Sequence, residues 1–305
     1  MTSFDIAVLG AGGQIGLDLM RTLAPAHDVT GYARDPARAA ARLRDSGVTG
    51  LRLRPFDEFD GATHDGAVNA VGIGDRAGQI AQGPAFLDAT WAVDGRVLAW
   101  LDRDPARFCV SISSGAVYGL RRPWPIPADA ALEWPVNAPE PTHFYALAKA
   151  ALEARHRATA HKAIYDIRVF GYFSPFIRLD SSFFLAELAA AIAARRPFAT
   201  TRADMVRDYI DGSELAAAIA LLAAKRPANG AFDIWSGAPI AKLELLAALE
   251  REFRLTIDWH GGAQSGETTG YRGPPSLHDA LIGLGHVPHR ASLDIVLDHM
   301  RIFAR

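Results

Sequence analysis

Several side chains near the middle of the chain could together move a proton on or off an alcohol oxygen. Tyr145 and Lys149 stand four residues apart in a helical pattern, so both side chains lie on one face of the helix. A cation held beside a phenol favours the phenolate, which lowers a pKa that starts near ~10. Two hydroxyls, Ser113 and Ser114, end an apolar run upstream. A hydroxyl, a tuned phenol and a lysine indicate proton transfer on oxygen, coupled to hydride transfer on the adjoining carbon.

Hydride transfer needs a nicotinamide, and the N-terminal stretch has the pattern of a dinucleotide site. A short apolar strand over residues 4–9 leads directly into Gly10-Ala11-Gly12-Gly13-Gln14-Ile15-Gly16, and a helical pattern follows. Glycines at 10, 13 and 16 allow a tight turn, close approach of the backbone to a pyrophosphate and close packing of the helix. We predict that the cofactor is bound here by Gly10, Gly13, Gln14, Ile15 and Gly16.

The elements that must position these residues alternate between strands and helices. The apolar run 108–113 predicts a buried strand that ends where a parallel sheet opens its crevice. Further strands are predicted at 28–33, 51–53, 65–72 and 163–170. Helices are predicted at 36–45, 84–101 and 142–160, with Thr142 as a cap and a surface loop over 74–83. This alternation predicts an α/β fold with a Rossmann doubly wound parallel sheet.

The end of the second predicted strand bears on the choice between NAD and NADP. An acidic residue there would bind the ribose hydroxyls, whereas an arginine suits an added 2′-phosphate. The chain has Ala33 and Arg34 at this point, and Asp35 is explained as the N-cap of a helix that begins at Pro36. We predict NADP as the cofactor, with NAD as the alternative, and Arg34 as the phosphate contact. A solvated loop arginine is the competing interpretation.

Four motifs occur in a familiar order: the glycines at 10, 13 and 16, the segment 113–119, Tyr145-x-x-x-Lys149, and Arg207-Asp208-Tyr209-Ile210. Together they resemble the extended short-chain dehydrogenase/reductase family, and within it the NAD(P)-dependent epimerase/dehydratase branch, whose members often act on nucleotide sugars. The resemblance implies a dinucleotide-binding Rossmann domain over 1–172, to which 205–236 return. It also implies a smaller C-terminal α/β substrate lobe over 173–204 and 237–305.

The resemblance also implies roles for single residues. Ser114, not Ser113, would be the catalytic hydroxyl, Tyr145 the proton donor or acceptor, and Lys149 the residue that lowers the pKa of Tyr145 and holds the ribose. The predicted cofactor contacts further include Asn69, Gly72 and Phe170, besides Tyr145 and Lys149. The predicted substrate contacts are Ser114, Phe173, Arg207, Tyr209 and Arg272. A surface ion pair between Arg207 and Asp208 is the competing interpretation, and a homodimer is implied through the helix 84–101 and the tyrosine-bearing helix.

Two departures from the family pattern bear on the reaction. Gly171 replaces an asparagine that contacts a nucleotide-sugar phosphate in many members. Gly115 and Ala116 stand where a 4,6-dehydratase would carry an Asp-Glu pair, which argues against dehydration. Because of Arg34 we expect a ketoreductase that acts on a keto-sugar nucleotide or a similar sugar-like substrate. The alternatives are an NAD-dependent nucleotide-sugar epimerase and, in another class, a non-catalytic cofactor-sensing or complex subunit on the same fold.

The composition weighs against several other functions. With 32 basic and 34 acidic residues the formal net charge is −2, so no basic excess predicts binding to nucleic acid or to an anionic membrane. The single cysteine, Cys109, excludes an intrachain disulfide, and the ten histidines lack the spacing of a metal site. Because no apolar run has membrane-spanning length, we expect a cytoplasmic enzyme with a small-molecule substrate.

Overall fold

The computed structural model describes residues 2–72, 76–119, 125–261 and 279–304. Its strands, in chain order, are β1 (Asp5–Leu9), β2 (Asp28–Ala33), β3 (Arg52–Pro55), β4 (Gly66–Asn69), β5 (Phe108–Ser114), β6 (Ala163–Val169), β7 (Phe198–Thr201), β8 (Val206–Arg207), β9 (Gly230–Ile234), β10 (Ile240–Ala241) and β11 (Ile257–His260). Its helices are α1 (Gln14–Leu23), α2 (Pro36–Asp45), α3 (Arg76–Gln82), α4 (Ala85–Leu101), α5 (Pro141–Ala158), α6 (Phe184–Ala193), α7 (Gly212–Lys225), α8 (Lys242–Phe253), α9 (Ala280–Leu284) and α10 (Ser292–Phe303), with short 3-10 helices at Phe56–Gly61 and Gly115–Tyr118. Within the described residues, none of the helices combines the length and the apolar character that crossing a bilayer requires.

A seven-stranded parallel sheet forms the centre of the molecule, in the order β3-β2-β1-β4-β5-β6-β9. The strand order reverses between β1 and β4, and doubly wound folds bind dinucleotides at such a reversal. Gly10 follows β1, Gly72 comes soon after β4, and Ser114 ends β5. These three segments therefore lie at the same carboxyl edge. The predicted α/β class and the doubly wound parallel sheet are confirmed.

The beginnings of two helices show where local prediction succeeds and where it fails. The Asp35 carboxylate accepts a hydrogen bond from Arg38 N at 2.9 Å, and α2 begins at Pro36, as the sequence predicted. Helix α5 instead has Glu140 as its N-cap, not Thr142, because Glu140 and His143 form a capping box in which Glu140 N donates to His143 Nδ1 at 2.8 Å.

The predicted loop over 74–83 is wrong in its described part, where α3 forms. The glycines in this stretch suggested a loop, but α3 packs against both α4 and α5. Such tertiary packing overrides a weak local propensity. The helix lies beside the element that carries the predicted catalytic tyrosine.

The molecule has separate apolar cores. One cluster packs α1 and α7 against the parallel sheet, and another packs α6, α8 and α10 together with β7. Leu281 on α9 belongs to the first cluster, although the predicted boundary assigns it to the substrate lobe. The division into 1–172 with 205–236, and 173–204 with 237–305, stays a prediction.

Candidate active site

The turn after β1 is built for close approach of backbone atoms. Gly10 has a φ of +80°, and a Cβ on Gly16 would lie 2.2 Å from the Gly10 carbonyl oxygen, so both positions require glycine. Gly12 and Gly13 are exposed, and Gly13, the N-cap of α1, has no side chain to cap the first amides of the helix. Gln14 Nε2 is buried and has no hydrogen-bond partner among the described residues. An uncapped helix N-terminus with a spare buried donor suits a pyrophosphate, so these residues fit the predicted dinucleotide.

Tyr145 lies within hydrogen-bonding reach of the end of β5. Ser114 caps the 3-10 helix that follows, and its Oγ accepts a hydrogen bond from Ala116 N at 3.2 Å. The Ser114 hydroxyl also interacts with the Tyr145 phenol and lowers its pKa, against the larger effect of burial. The Phe86 ring, from α4, packs on the Tyr145 ring with centroids 5.5 Å apart. The structure thus brings together two hydroxyls that could share one substrate oxygen.

Lys149 is buried one helical turn further along α5. Its Nζ donates to the Ile112 carbonyl oxygen at 2.7 Å, and a Cβ on Gly72 would lie 3.7 Å from the same Nζ. Burial lowers the pKa of Lys149 to about 8, while the charges of Asp166 and Glu153 act in the opposite direction. The lysine therefore lies between the ends of β4 and β5, next to the predicted cofactor crevice.

The pKa of Tyr145 reflects two opposing effects. Burial of the ring raises the pKa, and the interaction with Ser114 lowers it. The Nζ of Lys149 donates to the Ile112 carbonyl oxygen. The expected effect of the Lys149 ammonium on the pKa of Tyr145 stays a prediction.

Gly115 stands where a 4,6-dehydratase would carry an acid, and the structure gives a steric reason for the glycine. A Cβ on Gly115 would lie 2.4 Å from the Phe170 ring. Phe170 in turn stacks on Tyr118, with ring planes 16° apart. An acidic side chain at position 115 has no space unless Phe170 moves, which strengthens the argument against dehydration.

Gly171 is likewise required by its neighbours. A Cβ there would lie 2.2 Å from the Asp208 carbonyl oxygen and 3.0 Å from the Tyr209 ring. The backbones are joined on either side, since Ile210 N donates to the Gly171 oxygen at 3.1 Å and Phe173 N donates to the Ile210 oxygen at 3.0 Å. The space that the family's asparagine needs is taken by residues 208–210, so this departure is part of the fold.

Arg207 and Tyr209 line a small pocket. The remaining lining residues are mostly apolar: Phe184, Met205, Ile240, Lys242 and Leu245. The antiparallel pair of β8 and β10 brings these distant segments together. Arg207 is exposed, and within the described chain it has no carboxylate partner. The alternative pair with Asp208 does not form, because Asp208 is buried and accepts hydrogen bonds from Ser236 N and Oγ.

Other predicted site residues have different surroundings. Phe173 is fully buried between the rings of His299 and Phe303, so the structure moves it from the substrate site to the core of the lobe. Asn69 is buried, and its Oδ1 accepts a hydrogen bond from Val71 N at 3.2 Å. Arg272 lies outside the described residues. In the part of the chain that is described, no cluster of histidine, cysteine or acidic side chains could hold a metal ion.

The sequence prediction missed two arginines beside the glycine turn. Arg34 is exposed after β2, and Arg38 and Arg42 follow at intervals of four residues. Arg42 donates to the Gly12 carbonyl oxygen at 2.8 Å and to the Phe176 carbonyl oxygen at 2.7 Å. Burial, with the charge of Arg38 next, lowers the pKa of Arg42. The interval of four residues was the available signal, and the prediction from Arg34 alone did not use it.

Comparison with known proteins identifies the family. The sequence matches the NAD dependent epimerase/dehydratase family over residues 6–235, which is well over half of the chain. The chain belongs to this family. The predicted resemblance to the epimerase/dehydratase branch of the extended short-chain dehydrogenases is therefore confirmed.

Solved structures share the fold of this family member over nearly its whole length. A UDP-N-acetylglucosamine 4-epimerase from Methanobrevibacter ruminantium M1, in complex with UDP-N-acetylmuramic acid, has a TM-score of 0.80 at 16% identity, with 99% of each chain covered. A UDP-glucose-4-epimerase from Stenotrophomonas maltophila, with bound NAD and formylated UDP-arabinopyranose, has a TM-score of 0.77 at 18% identity, with 98% of each chain covered. An ADP-L-glycero-D-manno-heptose-6-epimerase from Helicobacter pylori has a TM-score of 0.75 at 13% identity, with 98% of this chain and 96% of that chain covered. Among curated protein sequences, none is significantly similar to this chain.

Proposed function

We propose that the protein is an NAD(P)-dependent epimerase that inverts a secondary alcohol centre of a nucleotide sugar or a similar sugar-like substrate. The observation that carries the proposal is that Ser114, at the end of β5, interacts with Tyr145 beside the buried Lys149, whose Nζ donates to the Ile112 carbonyl oxygen. The structural neighbours support it, because they are nucleotide-sugar epimerases and one of them has NAD bound. They favour the epimerase over the ketoreductase that the sequence led us to expect.

The part of the protein in this reaction is to manage the proton on the substrate oxygen. A nicotinamide cofactor held at the glycine turn by Gly10, Gly13 and Gly16 would supply the hydride chemistry at the substrate carbon. Tyr145 as the phenolate takes the hydroxyl proton as the alcohol becomes a ketone, and as the resulting phenol it gives the proton back. Ser114 hydrogen-bonds the same oxygen and lowers the pKa of Tyr145, which opposes the effect of burial. Both donors are fixed before charge develops on the oxygen.

Lys149 supplies a fixed positive charge at the bottom of the crevice. Its pKa of about 8 keeps it mostly protonated at neutral pH. The bond from its Nζ to the Ile112 carbonyl holds it near Gly72. In this proposal the lysine holds the cofactor ribose, while Asn69, Gly72 and Phe170 complete the cofactor contacts.

The substrate's phosphate is proposed to bind Arg207. Its guanidinium is exposed and lacks a carboxylate partner within the described residues, so binding an anion breaks no ion pair. Tyr209 forms a wall of the same pocket, and burial raises its pKa to about 12, so it stays a neutral hydrogen-bonding phenol. Because Gly171 has no side chain, Arg207 takes a larger share of phosphate binding here than in relatives that carry asparagine.

We keep NADP as the preferred cofactor, with Arg34 and Arg38 as contacts of the 2′-phosphate. Arg34 is exposed after β2, whereas Asp35 accepts the capping hydrogen bond from Arg38 N through Oδ1. Replacing Arg34 with alanine should raise the Kd for NADP about tenfold and leave that for NAD unchanged, as loss of one guanidinium–phosphate contact implies. Arg44→Ala, on α2, is the matched control. Equal losses for both cofactors in Arg34→Ala would contradict the assignment.

A homodimer through α4 and α5 completes the proposal, together with a cytoplasmic location. Trp91 on α4 is 49% exposed, and the Arg155 guanidinium of α5 lies 5.6 Å from its ring centroid. A large exposed aromatic beside a cation is typical of an interface centre. Light scattering should give a dimer for the native protein and a monomer for Trp91→Glu. A monomeric native protein would remove this part of the proposal.

The direct test is to follow sugar product and cofactor in the same reaction. The protein is incubated with pairs of epimeric nucleotide sugars and catalytic amounts of NAD or NADP, and products are identified by proton NMR. We expect the epimer to form with many turnovers per cofactor and no net change in nicotinamide absorbance. Stoichiometric oxidation of NADPH by a keto-sugar nucleotide would instead establish the ketoreductase.

A further inference from the structure

A partly buried guanidinium near the end of β6 contacts the elements on which the proposed catalytic residues lie. One edge of the Arg168 guanidinium, formed by Nε and Nη2, binds the Glu153 carboxylate of α5. Nε lies 3.0 Å from each carboxylate oxygen, and Nη2 lies 2.6 Å from Oε2. Its Nη1 donates to the Tyr118 hydroxyl, and its Cζ lies 4.8 Å from the centroid of the Tyr118 ring. Such a bidentate pair fixes orientation as well as distance.

Arg168 is connected to both ends of the segment that carries Ser114. At one end, Ser113 Oγ donates to Glu153 Oε1 at 2.6 Å, and Glu153 binds Arg168. At the other end, the Tyr118 hydroxyl lies between Arg168 and the fully buried carboxylate of Asp233, to which it donates at 2.8 Å. Arg168 therefore holds both ends of the segment 113–118. It contacts Tyr118 directly and Ser113 through Glu153.

The same side chain is connected to the proposed proton donor. Glu153 lies on α5 one turn after Lys149 and two turns after Tyr145. The charge of Glu153 also raises the pKa of Lys149 against the effect of burial. A shift of Arg168 would change where α5 lies relative to the end of β5, and so would change the distance between Ser114 and Tyr145.

We propose that Arg168 is a positioning residue, which through Glu153 and Tyr118 aligns the Ser114 hydroxyl with the Tyr145 phenol. The inference rests on the proposed function in one respect: the alignment of the two hydroxyls serves catalysis only if Tyr145 transfers the substrate proton. A simple buried ion pair would contribute stability and nothing else, since its removal would leave the Ser114–Tyr145 bond intact.

The test uses mild variants that each remove one hydroxyl. Ser113→Ala breaks the link to Glu153, and Tyr118→Phe breaks the links to Arg168 and Asp233. Tyr172→Phe is the matched control, because it also removes a phenol hydroxyl that donates to a buried aspartate, Asp18, outside this network. Each variant is made in a protein that carries a difluorotyrosine at position 145, whose titration is followed by fluorine NMR.

We expect Ser113→Ala and Tyr118→Phe each to raise the pKa of the residue at position 145 by about 0.5 to 1 unit, because the Ser114 bond that lowers it is misaligned. In a Ser114→Ala background the same changes should have no further effect, as a double-mutant cycle requires for a coupling that acts through Ser114. Unchanged titration in both variants, an equal shift in Tyr172→Phe, or a full shift without Ser114 would overturn the proposal.

The titration needs no substrate and no turnover, so it separates this inference from the proposed function. Coupled shifts in a protein that epimerises nothing would support the positioning role and contradict the function. Turnover in the native protein, together with an unchanged titration at position 145 in both variants, would support the proposed function and contradict the positioning role. Arg168→Lys, which keeps the charge and loses the fork, should show the same upward shift as Tyr118→Phe.

Discussion

Two arginines with proposed roles, Arg168 and Arg207, have contrasting surroundings. Arg168 lies between Glu153 and Asp233, with only 18% of its side chain exposed, and its hydrogen bonds reach three elements. Arg207 is exposed, donates to the Val206 carbonyl oxygen and has no acidic partner within the described residues. The first cation is committed to the fold, whereas the second is available to a ligand.

This contrast extends to the regions around each arginine. At the carboxyl edge of the sheet, buried charges are paired and hold hydroxyls in fixed positions, which suits a group that must be ready before the reaction. Around β8 and β10, Arg207 lines a small, mostly apolar pocket and has no acidic partner within the described residues, which suits binding of an anion. A largely buried cation with two acidic partners therefore indicates positioning, and an exposed cation without an acidic partner among the described residues indicates recognition.

The largest effect should come from the proton donor itself. Tyr145→Phe should lower kcat for epimerisation about 1000-fold, because it removes a general acid and base while leaving the ring packed on Phe86. The matched control is Tyr165→Phe, which removes a buried hydroxyl that has no hydrogen-bond partner in the described part of the chain. Steady-state rates for the two variants check the prediction. Equal activity in both would mean that Tyr145 is not the proton donor.

Replacing each of the two arginines should affect the stability of the protein to very different extents. Arg168→Met should lower the free energy of unfolding by about 3 to 5 kcal/mol, because it leaves Glu153 and Asp233 buried without their cation. Arg207→Met should change the free energy of unfolding by less than about 0.5 kcal/mol, because Arg207 is exposed and has no ion pair within the described residues. Urea denaturation of both variants measures the difference. Similar losses would break the distinction between positioning and recognition.

A second buried cation beneath the catalytic region should make stability depend on pH. His156 hydrogen-bonds Asp166 at 2.9 Å and Asp94 at 2.7 Å; burial would lower its pKa, but these bonds raise it to about 9. Because the folded pKa lies above the unfolded value near 6.5, the stabilisation is complete below pH 6.5 and is lost as pH rises through 9. The loss should approach roughly 3 kcal/mol.

The measurement compares native protein with His156→Gln between pH 6 and pH 10. Lys149 has a lowered pKa of about 8, so its own contribution rises with pH in the upper part of this range and partly opposes the loss. The difference between the two proteins isolates the histidine, since both keep Lys149. A difference in unfolding free energy that does not shrink above pH 8 would contradict the assignment.

The smallest of these effects should fall on substrate binding. Arg207→Met should raise KM for a nucleotide sugar about tenfold and leave kcat within about twofold, because the guanidinium binds the ground state and the transition state equally. Arg202→Met is a control, because Arg202 stacks on Trp259 at 4.5 Å from the ring centroid and does not line the pocket. A fall in kcat with unchanged KM would move Arg207 from recognition to catalysis.

Local patterns predicted the elements around the glycine turn and the end of β5 well. The glycine turn, the strand that ends at Ser114, the Asp35 cap and the four-residue interval between Tyr145 and Lys149 all depend on residues close in sequence. A parallel sheet then brings strand ends to one edge by rule, so the order of the motifs was enough to place them together.

Longer-range packing decided what the sequence could not show. Glu153 and Arg168 are 15 residues apart on different elements, and Tyr118 and Asp233 are 115 apart. Phe173 follows a predicted strand end, yet the ring is buried by α10, which the motif could not reveal. From the sequence, Gly171 could be seen only as the loss of an asparagine. The reason that glycine is required there is the backbone of Asp208, which lies in another segment of the chain.

The most direct test of the central claim is the fate of hydrogen at the inverted carbon. A nucleotide sugar deuterated at that carbon is converted by the native protein in ordinary water, and the epimeric product is examined by mass and NMR. If Tyr145 moves the oxygen proton while the bound cofactor returns the same hydride, the product keeps its deuterium and Tyr145→Phe forms almost none. Loss of deuterium to solvent would mean that the protein removes a proton from carbon, and the proposed role of the phenol would be wrong.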